Sequence, residues 1–256
     1  MCIRDSLPGA RRMNNHTLTP LEVYRLAVEQ QGFVSDAAQQ HAAEQLQRCY
    51  QALHRGGLPQ GVYLWGPVGR GKTWLMDSFH DALQVPARRQ HFHHFMGWVH
   101  RRLFQLTGTA EPLQVLAREL AKEIRVLCFD ELFVSDIGDA MLLGGLFRSL
   151  FDEGVVLVAT SNQPPEQLYA GGHNRERFLP AIDALLQHMQ VVAVDGSQDH
   201  RQHPGQGHQR YWVREAGQPS ALPALLAALR QGEPVSHEPL QVGHRRIDVH
   251  LSLIHI

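Results

Sequence analysis

The sequence contains little lysine, little isoleucine and few cysteines. Only Lys72 and Lys122 among its 24 basic residues are lysines. Its three cysteines form no spacing pattern, so we expect no disulfide framework and a location in the reducing cytoplasm. No apolar run approaches the roughly 18 residues that a membrane-spanning helix needs. The 24 basic and 25 acidic residues are balanced, which argues against a broad basic face for duplex DNA.

The few isoleucines are unevenly placed. Three of the seven lie in the terminal hexapeptides, residues 1–6 and 251–256. Back-translation shows that one short DNA element and its reverse complement can encode the two hexapeptides. We therefore interpret both as derived from a sequencing adapter. On this hypothesis residues 1–12 are adapter-derived or untranslated and Met13 is the start. Residues 251–256 are adapter-derived, and the natural chain continues past His250.

Hydrophobic periodicity divides the rest of the chain into three parts. Residues 13–57 are a helical lead-in, with predicted helices from Pro20 to Gly32 and from Ser35 or Asp36 to His54. In residues 58–200 five predicted strands alternate with helices, which is typical of a parallel sheet covered on both faces. The strands are predicted at 62–65, 90–95, 126–129, 155–160 and 191–194. Residues 201–250 begin a truncated C-terminal region with a short helix predicted at 222–229.

A phosphate-binding loop is predicted between the first strand and the helix that follows it. The pattern G-x-x-x-x-G-K-[ST] is carried by Gly66, Pro67, Val68, Gly69, Arg70, Gly71, Lys72 and Thr73. Its glycines let backbone N–H groups surround phosphate oxygens, and the helix N-terminus adds its dipole. Lys72 would reach the β- and γ-phosphates of ATP, and Thr73 would ligate Mg²⁺. A compact ammonium suits this position, in a chain that otherwise prefers arginine. The alternative is a glycine turn without a ligand.

Two carboxylates end the third predicted strand. Asp130 would hold Mg²⁺, and Glu131 would orient and deprotonate the attacking water. The alternative is a pair of solvated acids at a strand end. Asn162 follows the fourth predicted strand, where it would point at the γ-phosphate and the water, or would simply form a turn before Pro164.

Arginines and histidines supply further candidates. Arg175 or Arg177 could reach the γ-phosphate of a neighbouring subunit, or could be an ordinary solvated arginine. The histidines at 91, 93, 94 and 100 lack a carboxylate or thiol cluster beside them, which favours a structural or surface role over metal binding. Cys128, inside a predicted strand, is expected to be buried and inert.

These motifs resemble the ZapE family of cell-division ATPases and their mitochondrial relatives, within the additional-strand branch of P-loop proteins. The resemblance covers roughly residues 19–201 and is carried by the runs at 61–77, 91–96, 126–131, 133–143, 159–162 and 177–182. It implies an AAA+ type P-loop NTPase with a five-stranded parallel sheet, in which the fourth strand lies between the two motif strands. Members of the family continue into a lid with a second nucleotide-sensing arginine, so we expect an incomplete C-terminal lid here.

The resemblance also implies a function and partners. It implies a Mg²⁺-dependent, cytoplasmic ATPase that forms a ring or hexamer and remodels a protein partner, in bacteria the tubulin-like division protein FtsZ. One alternative is a helicase loader or other nucleic-acid-associated AAA+ ATPase, which the balanced charge disfavours. Another is a nucleotide-gated scaffold that hydrolyses little ATP, which would not need Glu131.

Overall fold

The computed structural model describes residues 18–30 and 36–196, together with two short strands between residues 240 and 247. The chain divides into two compact units, of which the larger spans Gly9–His203. The helix predicted at 222–229 and both terminal hexapeptides lie outside the described residues, as does most of the region assigned to the lid.

A parallel sheet forms the centre of the larger unit. Its strands are β1 (Gly61–Trp65), β2 (Ala87–His91), β3 (Val126–Asp130), β4 (Val156–Ser161) and β5 (Met189–Ala193). They lie in the order β2-β3-β4-β1-β5, and every neighbouring pair is parallel. The predicted five-stranded parallel sheet is confirmed, and β4 lies between the two motif strands β1 and β3, as predicted.

Helices cover both faces of this sheet. They are α1 (Pro20–Gln30), α2 (Ala37–His54), α3 (Lys72–Ala82), α4 (Phe92–Gln105), α5 (Pro112–Glu123), α6 (Ile137–Asp152) and α7 (Leu179–His188), with 3-10 turns at Pro165–Gln167 and Arg175–Arg177. Asp36 is the N-cap of α2. Asp136 is the N-cap of α6, where its carboxylate accepts from the N–H groups of Gly138 and Asp139.

The alternation of side chains along the strands divides the core into two layers. Tyr63 and Phe129 pack into the layer formed with α4 to α7. Val62 and Cys128 pack into the layer formed with α1, α2 and α3. The two lead-in helices therefore share a hydrophobic core with α3, the helix that follows the phosphate loop.

The strand predicted at residues 90–95 is wrong. β2 ends at His91, and α4 begins at the next residue. The histidines here alternate with apolar residues by chance, whereas burial follows the helical spacing of Phe92, Phe95, Met96 and Val99. The true strand is polar and half-buried because it lies at the edge of the sheet, so no apolar run marks it.

The smaller unit contains an antiparallel pair of strands, β6 (Leu240–Val242) and β7 (Arg245–Ile247), with Leu240 opposite Ile247.

Among the described residues, no helix combines the length and apolarity needed to cross a bilayer.

Candidate functional site

The loop between β1 and α3 requires glycine at three positions. Gly66, Gly69 and Gly71 have φ angles of 148°, 86° and 78°, where other residues are strained. A Cβ atom on Gly66 would also lie 2.3 Å from the carbonyl oxygen of Val194. The Gly66 N–H donates to the Ser161 carbonyl at 3.3 Å. The glycines thus let the loop pass close to the carboxyl ends of β4 and β5.

Lys72 is buried at the centre of this loop, with 8% of its surface exposed. Its ammonium donates to the carbonyl oxygens of Gly66 at 2.7 Å and Pro67 at 2.8 Å. It also donates to Oδ1 of Asn162 at 3.2 Å. The structure therefore brings the predicted lysine of the phosphate loop and the predicted asparagine that follows β4 into direct contact.

Asp130, the last residue of β3, joins three elements through one buried carboxylate. Its Oδ1 accepts from the hydroxyls of Thr73 at 3.0 Å and Thr160 at 2.9 Å. Its Oδ2 accepts from the guanidinium of Arg89 at 3.1 Å. The Thr160 hydroxyl in turn accepts from the backbone N–H of Glu131 at 3.0 Å. The side chains predicted to hold Mg²⁺, Thr73 and Asp130, are therefore hydrogen-bonded to each other.

Glu131 has a backbone conformation that is unusual for its residue type. Its φ angle is 55°, in the left-handed region, which costs a non-glycine residue about 1–2 kcal/mol. Its side chain is exposed and lines an open cavity together with Lys72, Thr73 and Asn162. Strained residues of this kind cluster at functional sites, where the surrounding structure enforces them.

The oxygen atoms at Thr73 and Asp130 suit Mg²⁺ rather than a soft metal. Mg²⁺ prefers hard oxygen ligands and is usually held by one or two protein groups, waters and substrate phosphates. Across residues 18–30 and 36–196, no group of three or more His, Cys, Asp or Glu side chains is arranged to hold a metal ion. The Thr73 hydroxyl and the Asp130 carboxylate supply the two oxygen ligands that Mg²⁺ usually takes from a protein beside a phosphate loop. Such a site does not need three acidic, histidine or cysteine side chains.

Two residues near the site were not predicted from the sequence. Gln39 of α2 is buried, and its amide donates to the Arg70 carbonyl in the phosphate loop at 2.9 Å. Arg89 of β2 forms ion pairs with Asp130 and with Asp77 of α3. Burial raises the pKa of the Asp77 carboxyl, and the Arg89 guanidinium beside it opposes that rise.

The structure does not bring the candidate arginines into the cavity of their own chain. Arg175 and Arg177 form a short 3-10 turn before α7, and neither lines the cavity. The Arg175 guanidinium donates to the backbone carbonyl of Glu166. Arg177 is exposed; its backbone N–H donates to the Asn174 carbonyl at 3.0 Å, and no hydrogen bond or ion pair joins its side chain to another described residue.

The two described cysteines are buried and take no part in the site, whereas one histidine lies near Asp130. Burial raises the pKa of the Cys49 thiol to about 12 and also raises the pKa of the Cys128 thiol. Both are free and buried, as predicted for Cys128. His91 comes within 3.9 Å of Asp130 Oδ2, and its ring lies near those of His93 and His94.

The fold and the site together define a P-loop ATPase of the AAA+ type. A glycine loop follows β1, β3 ends in Asp130 and is followed by Glu131, and β4 lies between these strands and ends just before Asn162. The family model of the AFG1-like ATPases matches residues 18–253. The chain therefore belongs to the AFG1-like ATPase family.

Comparison with individual proteins agrees with this assignment. The cell division protein ZapE of Escherichia coli K12 is 39% identical over 259 residues, which cover 90% of this chain and 68% of ZapE. Lactation elevated protein 1 homolog B of Danio rerio is 38% identical, and the match covers 74% of this chain and 41% of that protein.

Solved structures share the fold at low sequence identity. AMPPCP-bound DnaA from Aquifex aeolicus has a TM-score of 0.50 at 16% identity, covering 67% of this chain and 51% of the DnaA chain. DnaI has a TM-score of 0.50 at 18% identity, covering 63% of this chain and 87% of the DnaI chain. The chain thus matches about half of the DnaA chain, and the likeness concerns the fold alone.

Proposed function

We propose that this chain hydrolyses ATP in a Mg²⁺-dependent reaction and uses the energy to remodel a protein partner in cell division. The observation that carries the proposal is the convergence of Lys72, Thr73, Asp130, Glu131 and Asn162 at one end of the sheet. The relation to the cell division protein ZapE supports the choice of process.

Each residue has a chemical role in this proposal. Backbone N–H groups of the loop from Gly66 to Thr73 bind the phosphates, and Lys72 reaches the β- and γ-phosphate oxygens. Thr73 and Asp130 hold Mg²⁺, which when bound neutralises charge on those oxygens. Glu131 accepts a proton from the water that attacks the γ-phosphorus as the bond to the leaving ADP oxygen breaks. Asn162, 3.2 Å from the Lys72 ammonium, orients that water and the γ-phosphate.

The proposed partner is FtsZ, the polymer that the ZapE family resemblance implies. We expect the full chain with ATP to change light scattering by pre-assembled FtsZ polymers, and Glu131→Gln with ATP to leave scattering unchanged. The reason is that remodelling of the polymer requires ATP hydrolysis, whereas binding of the chain to the polymer does not. The measurement is scattering over time with equal amounts of either protein.

The other outcomes of this experiment separate the alternatives. An equal effect of wild type and Glu131→Gln would indicate a scaffold that does not need hydrolysis. Absence of any effect of the wild-type chain would remove FtsZ as the partner. Stimulation of phosphate release by single-stranded DNA, measured in parallel, would favour the helicase-loader alternative.

A homo-oligomer is part of the proposal, with Arg177 acting on the site of a neighbouring subunit. Arg177 is exposed, whereas Arg175 contacts the Glu166 carbonyl of its own chain. A guanidinium facing the γ-phosphate of the next subunit would stabilise charge in the transition state. This arrangement requires each complete site to use residues from two copies of the chain.

We expect Arg177→Ala to lower turnover by about 10–100-fold, because one charge-assisted hydrogen bond contributes about 1.5–3 kcal/mol. Mixing Arg177→Ala with Glu131→Gln should then restore phosphate release, because mixed assemblies contain sites with both residues intact. Arg101→Ala, an exposed arginine of α4, is the matched control. A mixture no more active than its two components would contradict a role for Arg177 in trans.

A further inference from the structure

Arg89 lies between two carboxylates at the edge of the proposed Mg²⁺ site. Its guanidinium forms an ion pair with Asp130 at 3.1 Å and another with Asp77. Only 5% of the Asp130 side chain and 24% of the Arg89 side chain are exposed. Because buried carboxylates are stable when paired, this contact is part of the environment that keeps Asp130 in place.

The fold explains why Arg89 and not its neighbour makes these contacts. Successive side chains of β2 point to opposite faces of the sheet. Arg88 pairs with Glu123 of α5 at 3.1 Å and lies over the Trp98 ring. Arg89 is opposite Cys128 of β3, on the face that packs against α3.

Asp77 completes the arrangement from α3. It follows Thr73 by four residues, which places both on one side of the helix. Thr73 contacts Oδ1 of Asp130, and Asp77 contacts the guanidinium that holds Oδ2. Arg89 therefore links the helix of the phosphate loop to the carboxylate at the end of β3.

We propose that Arg89 is a positioning residue for Mg²⁺-nucleotide, because its bridge between Asp77 and Asp130 fixes the Asp130 carboxylate against Thr73. The inference rests on the proposed function, in which Thr73 and Asp130 hold Mg²⁺. The planar guanidinium serves two carboxylates in one fixed geometry. Without it, Asp130 loses the donor to Oδ2, and the two carboxylates face each other without the cation between them.

The direction of the effect on Mg²⁺ affinity distinguishes positioning from simple charge competition. A cation that only competed with Mg²⁺ for Asp130 would weaken metal binding, so its removal would strengthen it. A positioning residue has the opposite effect, and loss of such a partner typically weakens metal affinity by about 10–100-fold.

The experiment measures binding of a fluorescent ADP analogue to the full chain, first in EDTA and then during titration with Mg²⁺. We expect Arg89→Gln to raise the half-saturating Mg²⁺ concentration about tenfold. Its affinity for the analogue in EDTA should stay within about twofold of wild type, because the phosphate loop itself is unchanged. Arg88→Gln, on the same strand but the other face, should match wild type in both measurements.

Other results would overturn the inference. These are an unchanged or lower half-saturating Mg²⁺ concentration in Arg89→Gln, or an equal loss of affinity with and without Mg²⁺. The second result would identify a general structural role. If wild type itself bound the analogue equally with and without Mg²⁺, the result would contradict the proposed metal site at Thr73 and Asp130. That outcome is distinct from an effect of Arg89 on the site.

A second variant covers the case in which Arg89→Gln does not fold. Arg89→Lys keeps the positive charge against both carboxylates but lacks the planar fork that contacts them together. We expect it to raise the half-saturating Mg²⁺ concentration by about threefold or more, below the tenfold expected for glutamine. A wild-type value for Arg89→Lys would contradict the bridge as the positioning element.

Discussion

Replacing Glu131 with glutamine is expected to lower the turnover number for ATP by about 10²–10⁴-fold, the range for loss of a general base. ATP binding should persist, because the phosphate loop and Lys72 are untouched. The substitution removes the basic oxygen and keeps the size of the side chain. It also keeps the backbone N–H that donates to Thr160 at 3.0 Å, so the left-handed turn is preserved. The measurement is phosphate release at saturating ATP, with nucleotide binding measured separately.

Glu153→Gln is the matched control for this substitution. Glu153 follows α6 and forms an ion pair with Arg118 at 3.4 Å, where exposed pairs contribute about 0–1 kcal/mol. Its turnover should equal that of wild type. Unchanged turnover in Glu131→Gln would remove Glu131 as the base, and a parallel loss of ATP binding would indicate a damaged site.

Replacing Lys72 with alanine is expected to weaken ATP binding by at least about 10²-fold. The ammonium contacts the carbonyls of Gly66 and Pro67 and the amide oxygen of Asn162 within the chain. ATP would supply phosphate oxygens in place of the two carbonyls, and each charge-assisted hydrogen bond contributes about 1.5–3 kcal/mol. Loss of two such bonds accounts for the expected factor.

Lys122 offers an unusually direct control because it is the other lysine of the chain. It is exposed on α5, so Lys122→Ala removes the same group without touching the phosphate loop. Affinity is measured by titration with a fluorescent ATP analogue. Equal affinity in Lys72→Ala and Lys122→Ala would contradict the role of Lys72.

The phosphate loop was predictable from the sequence because its requirements are local. Glycines at 66, 69 and 71 adopt φ angles that other residues avoid, and the lysine and threonine follow directly. The strand before the loop and the strand before Asp130 were predictable because both are buried on both faces and read as apolar runs. Strand order came from the family resemblance, since periodicity does not encode it.

The residues that support the site were not predictable, because their contacts are tertiary. β2 was misplaced because an edge strand does not need apolar side chains. Once it is misplaced, nothing distinguishes Arg89 from Arg88 in a chain with 22 arginines. Gln39 did leave a signal, since it is a polar residue on the buried stripe of α2, but its target, the Arg70 carbonyl, is known only from the fold.

The most direct test of the proposed reaction is phosphate release from ATP by the purified full chain, with Mg²⁺ or with excess EDTA. We expect release with Mg²⁺, loss of release in EDTA, and recovery when Mg²⁺ is restored. No release from ATP with Mg²⁺ over a range of protein concentrations, or equal release in EDTA, would contradict a Mg²⁺-dependent ATPase built on Lys72, Asp130 and Glu131.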